Sequence, residues 1–283
     1  MIVRRGAAVL SALAFWTALA LSGGGAGVAT AQAATVSTTS SNWAGFAVRR
    51  SGTSFRKVSG TWTVPAVDCT DGSETYSANW VGLGGYSTTS QALEQLGTES
   101  DCSRSGQATY SAWFEVVPAA ATTAKLTIKP GDVISASASV KSKLVTLKIT
   151  NNTRGTSATR TVRASTVDVS SAEWIVEAPS LCSGSSTSDN ACSQTALANF
   201  GTTAFSAARA TTSAGHTGTI LDSAWTPVAI TLRSAARGGP GFLPGGGGRG
   251  HGHLDAASSG GATPGELSAG GDGFGVTYAA SGT

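Results

Sequence analysis

The side chains able to do chemistry in this chain are carboxylates and one carboxamide set in strand-like sequence. Glu94, Gln95 and Glu99 fall in one such stretch, Glu115 in a second, and Glu173 and Glu177 in a third. In Ala172-Glu173-Trp174-Ile175-Val176-Glu177, the two-residue period of a strand puts Glu173, Ile175 and Glu177 on one face and Trp174 and Val176 on the other. One face is then apolar, and the other carries two carboxylates that either line an open cleft or keep an outer surface soluble. A carboxylate with a reference pKa of about 4.3 is a competent base toward water in mildly acid solution, and its protonated form can return the proton to a leaving amine. A nearby carboxamide N–H can hold the negative oxygen of a tetrahedral intermediate, and its carbonyl can orient the water beforehand.

The other common hydrolase constellations are missing. The chain has no Gly-x-Ser-x-Gly elbow, no His-Glu-x-x-His zinc helix and no Asp-Thr-Gly or Asp-Ser-Gly loop. Its three histidines are His216, His251 and His253, and the last two lie in a Gly-rich tract where rigid placement is not expected. His251-x-His253-x-Asp255 therefore reads as solvated low-complexity sequence rather than a metal site. No metal and no cofactor are expected.

The elements that must position these groups are strands. From Ser41 to Leu232, β-branched and aromatic residues alternate with small polar ones between Gly, Asn, Asp and Pro punctuation. The carboxylates and Gln95 fall in or beside the candidate strands Ala92 to Gly97, Ala108 to Val117 and Ala172 to Val176. Trp43 to Val48 and Tyr76 to Leu83 read as further strands, as do Lys125 to Ile128, Arg160 to Val167 and Ala198 to Ala208. No segment beyond the leader carries a sustained helical stripe, so the expected fold is all-β, two antiparallel sheets packed face to face as a β-sandwich.

Residues 1–33 read as a secretory signal peptide. Arg4 and Arg5 precede an apolar run from Ala7 to Leu21 and the small-residue site Ala31-Gln32-Ala33. That run is about 15 residues, short of the roughly 20 needed to span a bilayer. The mature protein is expected to be secreted, free of the membrane and monomeric. Residues 34–235 form the expected sandwich domain, and 236–262, with Gly238-Gly239 and Gly245 to Gly248, a flexible insertion with little to bury. Residues 263–283 return to alternation at Phe274, Val276 and Tyr278, which predicts a last strand. The net charge of +3 loses two units with Arg4 and Arg5, leaving +1, which points to no nucleic-acid partner.

Cys69, Cys102, Cys182 and Cys192 all lie beyond the leader, and an even count in an oxidising compartment reads as disulfides. Three pairings are possible. The preferred one joins Cys182 to Cys192, closing a short Ser/Gly-rich loop, and Cys69 to Cys102.

Five ordered blocks resemble the signature segments of the glutamic peptidases, or eqolisins. They are Ser41-Asn42-Trp43-Ala44-Gly45, Trp80-Val81-Gly82-Leu83-Gly84-Gly85, Leu93-Glu94-Gln95-Leu96-Gly97, Tyr110-Ser111-Ala112-Trp113-Phe114-Glu115 and Ala172 through Pro179. The resemblance implies a concanavalin A-like, jelly-roll type sandwich and an endopeptidase acting on proteins or peptides. It puts a catalytic Gln95 and Glu177 on the concave sheet, with Trp43, Trp80, Trp113 and Glu115 lining the same cleft. The chain departs from fungal members at Gly84 and Ser111, where they carry Asp, and its calculated pI of about 8.8 is far from their acidic character. About eight residues separate the expected cleavage site from Asn42, so no long propeptide is expected. The alternatives on such a sandwich are a glycoside hydrolase using Glu115 and Glu177 as its carboxylate pair, and a carbohydrate-binding module.

Overall fold

The computed structural model describes residues 35–182, 192–233 and 260–280, apart from the Cys182 side chain. The leader at 1–33, most of the Gly-rich stretch, and His251 and His253 lie outside these residues.

Every regular element among the described residues is a strand. One layer is built from β2 (Trp43–Arg49), β4 (Ala78–Gly84), β5 (Leu93–Cys102), β6 (Ala108–Val117), β7 (Thr122–Thr123), β11 (Ser171–Glu177) and β16 (Thr226–Leu232), in the order β16-β2-β11-β4-β5-β6-β7. The other is built from β3 (Phe55–Thr63), β8 (Val133–Lys141), β9 (Leu144–Asn151), β10 (Thr156–Arg163), β14 (Thr202–Thr212) and β18 (Phe274–Ala279), in the order β10-β9-β8-β3-β14-β18. The short β17 (Gly261–Pro264) bonds to β16 on one side and β18 on the other, so the ladder runs on around one edge of the sandwich. β15 (Thr217–Gly218) is a spur on β14, and β12 (Ser180–Cys182) and β13 (Cys192–Gln194) form a separate two-stranded pair.

The two layers meet where β4 packs on β3 and β8, β5 on β8 and β9, and β11 on β3. Their facing side chains form one apolar core that includes Val81, Leu83, Leu96, Phe114, Trp174 and Val176 from the first layer and Val58, Trp62, Ile134, Leu147 and Phe205 from the second. Burial of large side chains such as Trp62 and Trp174 contributes roughly 1.5–3 kcal/mol each. The indole N–H groups are not wasted there, since Trp174 Nε1 donates to the Ser59 carbonyl at 2.8 Å and Trp62 Nε1 to Thr98 Oγ1 at 2.9 Å. The first layer is also apolar on its other face, where Trp43, Ala47, Trp80, Leu93, Trp113, Ile175 and Ile230 form a second cluster. This explains why β2, β4 and β11 read as nearly continuous buried runs.

Several elements differ from the sequence reading. β1 (Val36–Ser40) joins β16 in parallel, the one parallel ladder among the described strands; its Ser/Thr-rich sequence carries no apolar alternation to reveal it. Residues 125–128 form no ladder; Leu126 and Ile128 pack against the core from an irregular segment that leads into the turn at Pro130 and Gly131. β10 begins at Thr156 and stops at Arg163, because its pairing with β9 is fixed by the turn at 152–155. β17 draws Gly261 and Ala262 into the sheet, with Ala262 opposite Leu232 and Tyr278, a contact the Gly-rich composition hides.

Cys69 and Cys102 are disulfide-bonded across a sequence separation of 33, a closure that stabilises such a fold by roughly 4 kcal/mol. In β12–β13 the backbone register sets Cys182 opposite Cys192.

Candidate active site

Register decides which side chains share the outer face of the first layer. Glu177 pairs with Trp43 on β2 and Ala78 on β4, Ile175 pairs with Trp80, and Glu173 with Gly82. Across β4, Ala78 pairs with Glu99, Trp80 with Gly97 and Gly82 with Gln95. One strand further, Glu99 pairs with Ser111, Gly97 with Trp113 and Gln95 with Glu115. Side chains of directly paired residues lie on the same side of a sheet, so Trp43, Trp80, Gln95, Trp113, Glu115 and Glu177 all stand on one face. Gln95 and Glu177 sit on either side of β4, and the side chain between them is Trp80.

Trp80 lies along its own strand because Gly82 leaves room for it. A Cβ at residue 82 would stand 2.9 Å from the Trp80 ring and 3.2 Å from the Gln95 Cβ. The indole Nε1 reaches Glu177 and donates to Oε2 at 2.8 Å, and its ring meets that of Trp43 edge-on at 4.9 Å. Asn42 Nδ2 donates to the other oxygen, Oε1, at 3.0 Å. Burial pushes the Glu177 carboxyl up to about 8; the Trp80 bond opposes this, and the negative charge of Glu115 adds to it.

Gln95 is nearly buried and donates through Nε2 to Glu115 Oε2 at 2.5 Å. Burial raises the Glu115 pKa, against that hydrogen bond. The amide leaves a second N–H hydrogen on Nε2 and an Oε1 with no protein partner. Glu173 shares the row of Gln95 but is fully buried, and neither oxygen makes a hydrogen bond of normal geometry. Its carboxyl is therefore held well above the usual range by burial, and the reading of Glu173 as a solubilising surface group does not hold.

Three contributors escaped the sequence reading. Asn42 was visible only as part of the Ser41-Asn42-Trp43 block, and Ser40, which bonds to Asn42, gave no signal at all. Asp168, from the connection before β11, fills the space a side chain at Gly84 would occupy: a Cβ there would lie 2.5 Å from Asp168 Cβ. Asp168 Oδ2 accepts from Ser90 Oγ at 2.5 Å and from the Gly85 N–H at 3.1 Å, pinning that connection to the β4–β5 turn. The acidic side chain absent at residue 84 is thus replaced in space by one from another segment. Among the described residues no group of three or more His, Cys, Asp or Glu side chains is arranged to hold a metal ion.

Comparison with known proteins makes this all-β sandwich a glutamic-type peptidase, a hydrolase that acts on protein or peptide substrates. The chain is a member of the Peptidase A4 family, whose pattern matches residues 41–235. It is 31% identical over 210 residues to aspergillopepsin-2 of Aspergillus niger, an alignment spanning 65% of this chain and 70% of that protein. Its fold matches scytalido-glutamic peptidase, solved with a transition-state analogue inhibitor, with a TM-score of 0.62 and 23% identity over 84% of this chain and 98% of that one. SCP-B, an eqolisin solved with the tripeptide Ala-Ile-His, matches with a TM-score of 0.58 and 22% identity over the same shares. Membership in a peptidase family sets aside the carbohydrate-directed alternatives.

Proposed function

We propose that this glutamic-type endopeptidase works through Glu177 as general base and Gln95 as oxyanion donor. Glu177 takes a proton from water, and the hydroxide adds to the carbonyl carbon of the scissile peptide bond. The oxygen that becomes negative is met by a Gln95 Nε2–H. Glu177 then gives its proton to the departing amine nitrogen, the C–N bond breaks, and the carboxylate is regenerated for the next cycle. Trp43, Trp80 and Trp113 form a packed apolar floor beside the pair, against which substrate would bind, and Glu115 fixes which way the Gln95 amide points. The observation that carries this reading is the placement of Gln95 and Glu177 on one face, on either side of Trp80.

The acid working range suggested by a carboxylate's reference pKa moves upward here, because burial raises Glu177. Secretion is supported by the leader at 1–33 and by the Cys69–Cys102 disulfide, which suits an oxidising compartment. A second bridge, Cys182–Cys192, fits the opposed backbone positions of β12 and β13.

Hydrolysis of a denatured protein by Glu177→Gln and Gln95→Ala tests the pair. Glu177→Gln should be nearly inactive yet folded, and Gln95→Ala should lose about 10²–10³ in kcat. A Glu177→Gln enzyme with most of its turnover would remove the base from the scheme.

A further inference from the structure

The carboxylate of Glu177 is held by an amide that could present either end. Asn42 beside a carboxylate stabilises it through Nδ2 and repels it through Oδ1, so something must fix which end faces Glu177. Ser40 does so. Its Oγ accepts from the backbone N–H of Asn42 at 3.3 Å and of Trp43 at 3.1 Å, which occupies both lone pairs. Its own hydrogen must then point outward, and it goes to Asn42 Oδ1 at 3.0 Å. With Oδ1 committed, Nδ2 is left to donate to Glu177 Oε1 at 3.0 Å.

The backbone on either side is fixed as well. Arg233 N–H donates to the Ser40 carbonyl at 2.9 Å, Ala178 N–H to the Asn42 carbonyl at 2.9 Å, and Gln194 Nε2 to the Ser41 carbonyl at 2.5 Å. Ser40, Ser41 and Asn42 are each less than 10% exposed, so water does not compete freely for these bonds. The corner between β1 and β2 is thus a rigid donor array aimed at one oxygen of Glu177.

We propose that Asn42 is a positioning residue for Glu177, locked in its donating orientation by the Ser40 hydroxyl. The proposal rests on the reading of Glu177 as the base. Trp80 donates to Oε2 and Asn42 to Oε1, so each oxygen is engaged by a neutral donor from a different strand or corner, which fixes the carboxylate plane. The other groups around Glu177 are Trp43 beside it on β2, Glu99 beyond Ala78 in the same row, and Glu115 on β6. Glu115 disfavours the anion, and the neutral donors Trp80, Trp43 and Asn42 oppose it.

The test is the pH profile of kcat/KM for Asn42→Ala, Ser40→Ala and the double variant, beside Glu177→Gln. Loss of the donor destabilises the ionised base, so the acid limb should move to higher pH in all three. kcat should fall on the order of 10–100-fold, with KM changed by less than about twofold. The double variant should be no worse than Asn42→Ala, because both act through one bond. A limb that stays in place while only the amplitude drops, in variants that melt like the parent, overturns the proposal. If an alanine variant fails to fold, Asn42→Asp keeps the side-chain shape and sets a carboxyl against Glu177. The limb should again move up, and an unmoved limb overturns the proposal. Glu177→Gln keeps the two failures apart: turnover there removes the base, while an inactive Glu177→Gln with an unmoved Asn42→Ala limb removes only the relay.

Discussion

Trp80 donates its indole N–H to Glu177 Oε2 at 2.8 Å, while the far edge of the same ring covers Gly82, the residue paired with Gln95. One side chain therefore forms the floor between Glu177 and Gln95, the proposed base and oxyanion donor, and sets the orientation of the first.

Trp80→Phe separates those tasks, because it keeps an aromatic floor and deletes the donor. A hydrogen bond to a charged group contributes about 1.5–3 kcal/mol, and Glu177 is partly exposed, so a loss of roughly tenfold in kcat/KM is expected. The acid limb should rise along with it. Unchanged kcat/KM would mean that the Trp80–Glu177 bond is not made in the working enzyme.

With Glu177 as the proposed base, the pH dependence of activity follows from its carboxyl. A base must be ionised, and burial pushes this one up to about 8, so activity should decline as the pH is lowered through the neutral range. Glu115→Gln removes a neighbouring negative charge that contributes to the rise, and should move the acid limb to lower pH, whatever it does to the maximum rate. Measurement of kcat/KM from pH 3 to 9 on both proteins decides this, and a Glu115→Gln limb at higher pH would contradict the assignment.

Folding stability should run the other way from a typical acid-labile protein. Burial raises Glu94 to about 8 and Asp101 to about 7, and it raises Glu173 further above its usual range. A carboxyl whose pKa is higher in the folded state binds its proton more tightly there. Its contribution is complete below the unfolded value of about 4.5 and is lost as the pH climbs through the folded value. Asp132 and Asp168 act in the opposite sense: burial works against their ionisation, but hydrogen bonds from Arg154 and Ser90 hold them low, and their contribution fades only below about 3.8. The thermal midpoint should therefore be highest near pH 4 to 5 and fall toward pH 8. A midpoint that rises steadily over that span would show these carboxyls to be solvated.

The sandwich and most of its strands were legible because alternation is a local property. The β11 pattern alone put Glu177 and Trp174 on opposite faces, and register then brought Gln95 onto the Glu177 side. What alternation cannot carry is contact between distant segments of low apolar content. β1 is Ser/Thr-rich and pairs in parallel, Val36 opposite Val228, with a strand 192 residues further on, so neither it nor the Ser40–Asn42 bond left a trace. Glu173 misled for a related reason, since an acidic residue in a strand reads as exposed unless the neighbouring strands that bury it are known.

Gly84 shows the same limit and yields the last prediction. Read along the chain, it is a missing acid; in space, its φ of +81° and the Asp168 side chain leave no room for one. A Cβ there would come within 2.5 Å of both Asp168 Cβ and the Asp168 carbonyl oxygen. Gly84→Asp should thus destabilise rather than restore a carboxylate, by about 2 kcal/mol or more, with the thermal midpoint lowered by roughly 4–8 °C. Removing the competing side chain in Gly84→Asp/Asp168→Gly should recover part of that loss, because the side-chain overlap disappears while the backbone strain and the carbonyl contact remain. Thermal unfolding of the two variants reads the difference, and a stable Gly84→Asp single variant would mean that the turn and the Asp168 segment can part without cost.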